Sequence, residues 1–139
     1  MVLSSESGGL SILVADDDPG VSKLTKEFLT SRGFAVTVAF DGISACEQAE
    51  AAPPSLVLLD LLLPKRDGYA VLLHLRSSEA TRNIPVILMS GESESEQAAI
   101  ARALGAHSFL AKPFMSATLF SRVEAALNSK SEAAPPENI

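Results

Sequence analysis

The sequence predicts an α/β domain built on a doubly wound, five-stranded parallel sheet. Three observations carry that expectation. Five short, apolar, often β-branched runs alternate with five segments of helical period, and each helix supplies the right-handed crossover that a parallel strand pair requires. The central runs Val57–Leu59 and Val86–Met89 show no polar alternation, as in strands covered on both faces. Two runs end in acid, Ile12-Leu13-Val14-Ala15 in Asp16-Asp17-Asp18 and Leu56-Val57-Leu58-Leu59 in Asp60. An ionised carboxylate inside an apolar strand costs several kcal/mol, so these aspartates belong at strand ends beside water, metal or another charge.

Residues 1–9 and about 129–139 are polar or rich in Ser, Gly, Pro and Glu, and read as tails around a single domain over 10–128. The strands are expected at Ser11–Ala15, Ala35–Phe40, Ser55–Asp60, Pro85–Ser90 and Ser108–Ala111. The first helix opens with Asp18 as N-cap and Pro19 at the first helical position, buries Val21, Leu24, Phe28 and Leu29, and stops near Gly33. The second carries Ile43, Cys46 and Ala49 on one face and ends before Pro53-Pro54. The third follows the Gly68 turn with Tyr69, Leu72, Leu73 and Arg76 at helical spacing, Arg76 at the solvent edge. The fourth runs from about Glu94 to Leu104, anchored by Ile100 and Leu104, and ends at Gly105. The fifth runs from about Ser116 to Asn128 with Leu119, Val123 and Leu127 inward.

The 139 residues, 47% hydrophobic and 20% charged, suit one compact domain, with no room for a second catalytic or DNA-binding one. The net charge is −6 and the few Lys and Arg are scattered singly, which argues against direct nucleic-acid binding. No apolar stretch approaches the roughly 20 residues that span a bilayer, and Met1 to Gly9 lacks the basic start of a signal peptide. The single cysteine, Cys46, excludes an intramolecular disulfide and fits a buried helix position in a cytoplasmic protein.

In a doubly wound sheet, function gathers at the carboxyl ends of the strands. That rule selects Asp16-Asp17-Asp18, Asp60, Ser90-Gly91 and Lys112-Pro113. Carboxylates about 5 Å apart repel by about 3 kcal/mol per pair at an effective dielectric of about 20, and a bound divalent cation relieves this. All the donors are oxygen, with no His or Cys cluster, so Mg²⁺ is favoured and zinc disfavoured. Asp60 then becomes a candidate nucleophile toward a phosphoryl group, since carboxylates form aspartyl-phosphates. Lys112 supplies a cation and Ser90 a hydroxyl for the transferring oxygens, while Gly91 leaves the backbone open to close approach.

Four motifs stand in order along the chain: Val14-Ala15-Asp16-Asp17-Asp18-Pro19, Leu59-Asp60-Leu61-Leu62-Leu63-Pro64 with Asp67-Gly68, Met89-Ser90-Gly91, and Lys112-Pro113-Phe114. Together they resemble the receiver domain of two-component response regulators, the CheY-like superfamily, over about residues 10–128. The resemblance implies a flavodoxin-like (βα)5 fold of strand order 2-1-3-4-5. It implies Asp60 as phosphoacceptor from a phosphohistidine on a sensor histidine kinase or a histidine phosphotransfer protein. Asp16, Asp17, Asp60 and the backbone carbonyl of Leu62 are implied as Mg²⁺ ligands, Ser90, Gly91 and Lys112 as phosphoryl contacts, and the Lys112–Pro113 bond as cis. Ser90 and Phe109 are the implied switch pair, the aromatic turning inward as Ser90 moves, and the responding surface is the fourth helix, fifth strand and fifth helix. A downstream protein effector is expected there, around Ala98, Phe109, Ala111 and Arg122, with the chain a single-domain regulator in phosphorelay signal transduction. It is expected to be no enzyme but a phosphoacceptor signalling domain that catalyses its own phosphorylation and dephosphorylation.

The match has departures. Ser90 stands where threonine is common and Phe109 where tyrosine is frequent, so an outward hydroxyl contact is lost. Ser55 replaces a frequent acid, and Leu62 is an apolar group where the family tunes dephosphorylation, implying slow hydrolysis. Two other functions compete: a Mg²⁺-dependent phosphohydrolase, which usually has a second acid two residues after its nucleophile where this chain has Leu62, and a scaffold that is never phosphorylated, against which the complete Asp, Ser and Lys set argues. Among the remaining residues, Asp18 reads as a cap rather than a ligand, His74 as a partly exposed histidine rather than a phosphohistidine, His107 as a loop residue and Lys65-Arg66 as a solvated turn. Glu92-Ser93-Glu94-Ser95-Glu96 reads as a helix start whose acids complement the macrodipole.

Overall fold

The computed structural model describes residues 9–91 and 94–132. Five strands and five helices alternate: β1 Ser11–Ala15, α1 Pro19–Ser31, β2 Ala35–Ala39, α2 Gly42–Ala51, β3 Leu56–Asp60, α3 Gly68–Ser77, β4 Val86–Ser90, α4 Glu94–Ala103, β5 Ser108–Ala111 and α5 Ser116–Glu132. All strand pairs are parallel and the order is β2-β1-β3-β4-β5, which is the flavodoxin-like arrangement. The expected tails fall largely outside the described residues, at 1–8 and 133–139, and α5 continues through 129–132. The expected acidic helix start is likewise cut, since Glu92 and Ser93 lie outside the described residues.

The alternation of side chains along the strands divides the core in two. Leu13, Ala15, Val57, Leu59, Val86 and Leu88 pack beneath α2, α3 and α4, whereas Ile12, Val14, Leu56, Leu58, Ile87 and Met89 pack beneath α1 and α5. Every residue of β3 and β4 is buried, which is why those runs are apolar without interruption.

Helix starts follow local chemistry. Asp18 Oδ1 accepts from the amides of Gly20 and Val21 at 2.9 and 3.2 Å, Asp41 Oδ1 from Ser44 at 2.7 Å, and Asp67 Oδ1 from Ala70 at 2.9 Å. Glycines in the left-handed region, Gly33 at φ 97 and Gly105 at φ 103, follow the ends of α1 and α4.

The helix faces depart from the expected ones. Leu24 is 67% exposed, while Ser22 and Thr25 turn inward. The Ser22 hydroxyl donates to the Asp16 carbonyl at 2.9 Å, and this polar tie to the end of β1 rotates α1 away from its most apolar face. Ile43, Leu73 and Ile100 are also exposed. The same helices bury Cys46, Ala49 and Leu72 as expected, and with them Ala45, Val71, Leu75 and Ala101, which the expected faces left out. β2 stops before Phe40, and β3 and β4 begin after Ser55 and Pro85.

Leu58 is fully buried. Leu58→Ala is expected to lower unfolding free energy by about 2–5 kcal/mol in urea denaturation. Leu24→Ala, at an exposed position, is expected to stay within about 0.5 kcal/mol.

Candidate functional site at the carboxyl rim of the sheet

The acids predicted to share a pocket do so. β1 and β3 are adjacent, pairing Ala15 with Leu59, so the residues that end them emerge side by side. One carboxylate oxygen from each of Asp16, Asp17 and Asp60 lies within 4.8 Å of the others. Asp16 is fully buried and Asp60 nearly so, while Asp17 is exposed. Lys112 arrives from the end of β5 and bridges the two buried acids, its Nζ donating to Asp16 Oδ2 at 3.0 Å and Asp60 Oδ2 at 3.2 Å. Backbone amides hold the other oxygens: Asp18 N–H reaches Asp16 Oδ1 at 3.0 Å and Leu62 N–H reaches Asp60 Oδ1 at 3.2 Å.

These contacts set the charge balance. Three carboxylates face one ammonium. Burial works against the Lys112 charge, but the hydrogen bonds and charges of Asp16 and Asp60 outweigh it and raise its pKa, so the side chain stays protonated. Burial pushes the Asp60 carboxyl up from its ordinary value, opposed by the Leu62 amide and Lys112 and reinforced by Asp16. An ammonium that serves two acids leaves Asp60 only partly compensated.

Ser90 ends β4 and is buried. Its carbonyl accepts from the Lys112 amide at 2.8 Å, tying the hydroxyl-bearing residue to the lysine. Gly91 is exposed, and a Cβ there would meet nothing nearer than the Lys112 carbonyl oxygen at 3.9 Å, so the ground beside Ser90 is open. The Lys112–Pro113 bond is cis. Leu62 directs its amide to Asp60, with its side chain 64% exposed. Phe109 lies inward at 2% exposure in the cluster beneath α2, α3 and α4, and its carbonyl accepts from the Arg122 guanidinium. Asp18 is engaged as a cap, as expected. His74 sits away from the rim, paired with Glu50 at 2.7 Å.

A family model described as the response regulator receiver domain matches residues 12–124. The chain belongs to that family. This receiver domain is 38% identical over 116 residues to the DNA-binding dual master transcriptional regulator RpaA of a Synechocystis species, covering 84% of this chain and 48% of that protein. It is 27% identical to Protein PilG of Pseudomonas aeruginosa, covering 88% of this chain and 91% of that one. The crystal structure of the receiver domain of NtrX from Brucella abortus superposes with a TM-score of 0.79 at 33% identity, covering 85% of this chain and 98% of that one. The chain spans about half the length of most of the curated relatives it matches. Receiver domains work in two-component phosphorelays. One expectation is corrected by this membership: a chain that is no enzyme and yet catalyses its own phosphorylation and dephosphorylation is contradictory, and the match over 12–124 is to a signalling domain. Leu62, at the position expected to govern water, has no acid or base to activate it. No helix among the described residues is long and apolar enough to cross a membrane.

Sequence patterns did not disclose two supports of the receiver site, the Ser22 hydroxyl on the Asp16 carbonyl and the Asp18 amide on the Asp16 carboxylate. The second had a signal, since an aspartate at a strand end readily accepts from the amide two residues on. The first had none, because a serine inside a helical pattern reads as solvent-facing.

The raised Asp60 pKa gives a signed expectation. A carboxyl raised above its ordinary 3.8 stabilises the fold most below that value, and the contribution is lost as pH rises through the folded pKa. Ionised Asp60 is therefore a net cost at neutral pH. In EDTA, Asp60→Asn is expected to unfold at higher urea than the natural chain at neutral pH, the gap narrowing as pH falls to about 4.

Proposed function

We propose that this receiver accepts a phosphoryl group on Asp60 from a phosphohistidine donor, on a sensor histidine kinase or a phosphotransfer protein, with Mg²⁺ held in the acidic pocket. The observation that carries the reading is the single Lys112 ammonium bridging Asp16 and Asp60, with Asp17 within 4.8 Å. A cation is thereby placed beside the nucleophile where the transferring group gathers negative charge.

The donor set suits the metal. Oxygen ligands without His or Cys favour a hard dication, and one carboxylate oxygen from each of the three aspartates lies within 4.8 Å of the others. Asp16, Asp17, Asp60 and the Leu62 carbonyl would hold it, and when bound it supplies positive charge against the phosphoryl oxygens. In the transfer, an Asp60 carboxylate oxygen forms the new bond to phosphorus while the bond from phosphorus to the donor imidazole nitrogen breaks, its electron pair staying with the imidazole. Lys112 exchanges part of its pairing with Asp60 for a phosphoryl oxygen. The Ser90 hydroxyl donates to another, over the open ground at Gly91.

The output is protein contact. β5 carries Phe109, whose partner Arg122 lies on α5, and ends just before Lys112, so movement of Ser90 and Lys112 bears on the surface of α4, β5 and α5 where Ala98, Ala111 and Arg122 lie. A downstream protein effector reads that surface, Ser90 and Phe109 acting as the switch pair. The acidic net charge supports a protein partner over a nucleic acid for these residues, and the lone reduced Cys46 supports a cytoplasmic setting.

Mass spectrometry after incubation with acetyl phosphate and Mg²⁺ tests the reading. The natural chain is expected to gain one phosphoryl mass and Asp60→Asn none, and Lys112→Ala is expected to slow labelling on the order of a hundredfold. An unlabelled natural chain would mean a scaffold, and equal labelling of Asp60→Asn would mean another acceptor.

A further inference from the structure

The loop from β3 to α3, residues 61–67, presents Leu62 to Asp60, and its conformation is not one it would choose unaided. Lys65 has φ 71, in the left-handed region that residues with a Cβ rarely adopt. Such a backbone persists only where its surroundings over-determine it, and here the surroundings are the first turns of α2. The Gly42 amide donates to the Pro64 carbonyl at 3.1 Å. Gly42 has no side chain to keep the loop away, and a Cβ there would fall 2.6 Å from Arg66 Cβ and closer still to the Arg66 carbonyl. Lys65 Nζ lies 3.7 Å from Asp41 Oδ2. The Arg66 guanidinium donates inward to the buried Cys46 sulfur at 3.4 Å, a contact that favours the thiolate but is outweighed by burial, which pushes the thiol's pKa up.

We infer that Arg66, seated on Gly42 and anchored to Cys46, is a positioning residue: it clamps the β3–α3 loop to α2 and so sets where Leu62 stands relative to Asp60 and how tightly the pocket holds Mg²⁺. The inference rests on the metal-site reading given above. Its chemistry is that of supports behind metal ligands generally, where partners that touch no metal fix the geometry of those that do. Arg66 is suited to it because its long planar head reaches a sulfur one helical turn into α2 while its backbone lies against a bare Cα. The turn therefore belongs to the site, although Lys65-Arg66 reads in the sequence as solvated.

Calorimetric titration of the full chain with MgCl₂, paired with hydrogen exchange at the Leu62 amide in EDTA, tests this. Arg66→Ala is expected to weaken Mg²⁺ binding about tenfold and to speed Leu62 exchange, with Arg66→Lys restoring part of both. Cys46→Ala, which leaves the loop backbone untouched, is expected to weaken binding about threefold through the lost acceptor. Ala49→Gly, a destabilising change in α2 far from the loop, is expected to bind Mg²⁺ as the natural chain does. If the natural chain binds and Arg66→Ala and Cys46→Ala both bind equally well, the clamp is overturned and the metal site stands. If the natural chain itself binds no Mg²⁺, the metal-site reading fails and the inference fails with it.

Discussion

Two buried carboxylates on the rim of an apolar sheet, Asp16 and Asp60, and the one ammonium that serves both, constrain the rest of this molecule. Neither acid is tolerable in the interior without a partner, so β1 and β3 must end side by side and β5 must deliver Lys112 between them. The backbone completes the arrangement with amides at Asp18 and Leu62. Even so, one positive charge is spread over a cluster that also includes Asp17, and the surplus of negative charge favours a further cation at the rim.

The sheet converts that chemistry into geometry. Because β3 pairs Asp60 with Met89, and β4 pairs Ser90 with Ala111, the Asp60 carboxylate, the Ser90 hydroxyl and Lys112 follow one another across three neighbouring strands. Register in a fully buried parallel sheet is strongly specified, which makes these separations a property of the core rather than of the loops. The same strands continue inward to Phe109, whose ring fills the core beneath α4 while its carbonyl is held by Arg122 of α5. The polar site and the face proposed for output are thus two ends of one packed strand.

α2 contributes no atom to the acidic pocket, yet its first turn meets the loop that carries Leu62. Gly42 is the point of contact, because only a residue without a Cβ lets the Arg66 backbone lie against it. A left-handed Lys65 beside a glycine with no room for a side chain is a matched pair. The loop is shaped by its neighbour more than by its own preferences.

Much of the receiver was legible along the chain. The uninterrupted apolar runs of β3 and β4, the Asp18-Pro19 start of α1, the glycines after α1 and α4, and the acids at two strand ends all speak through short-range chemistry: side-chain alternation, capping and turn preference act within a few residues. The inward faces of the helices were legible only in part: Leu29, Cys46, Ala49, Leu72, Leu119 and Val123 are buried as their spacing implied, but Leu24, Ile43, Leu73 and Ile100 carry the apolar signal yet stand exposed, while alanines and a hydrogen-bonded Ser22 take inner places. Nor did local pattern show that Lys112 spans Asp16 and Asp60, partners 96 and 52 residues away, or that Arg66 reaches Cys46. The sequence by itself determined the elements and the kind of chemistry at their ends, because those depend on neighbours in the chain. Only the tertiary structure decided which faces are buried and which charges share a partner, because close packing and Coulomb energy act on distance in space.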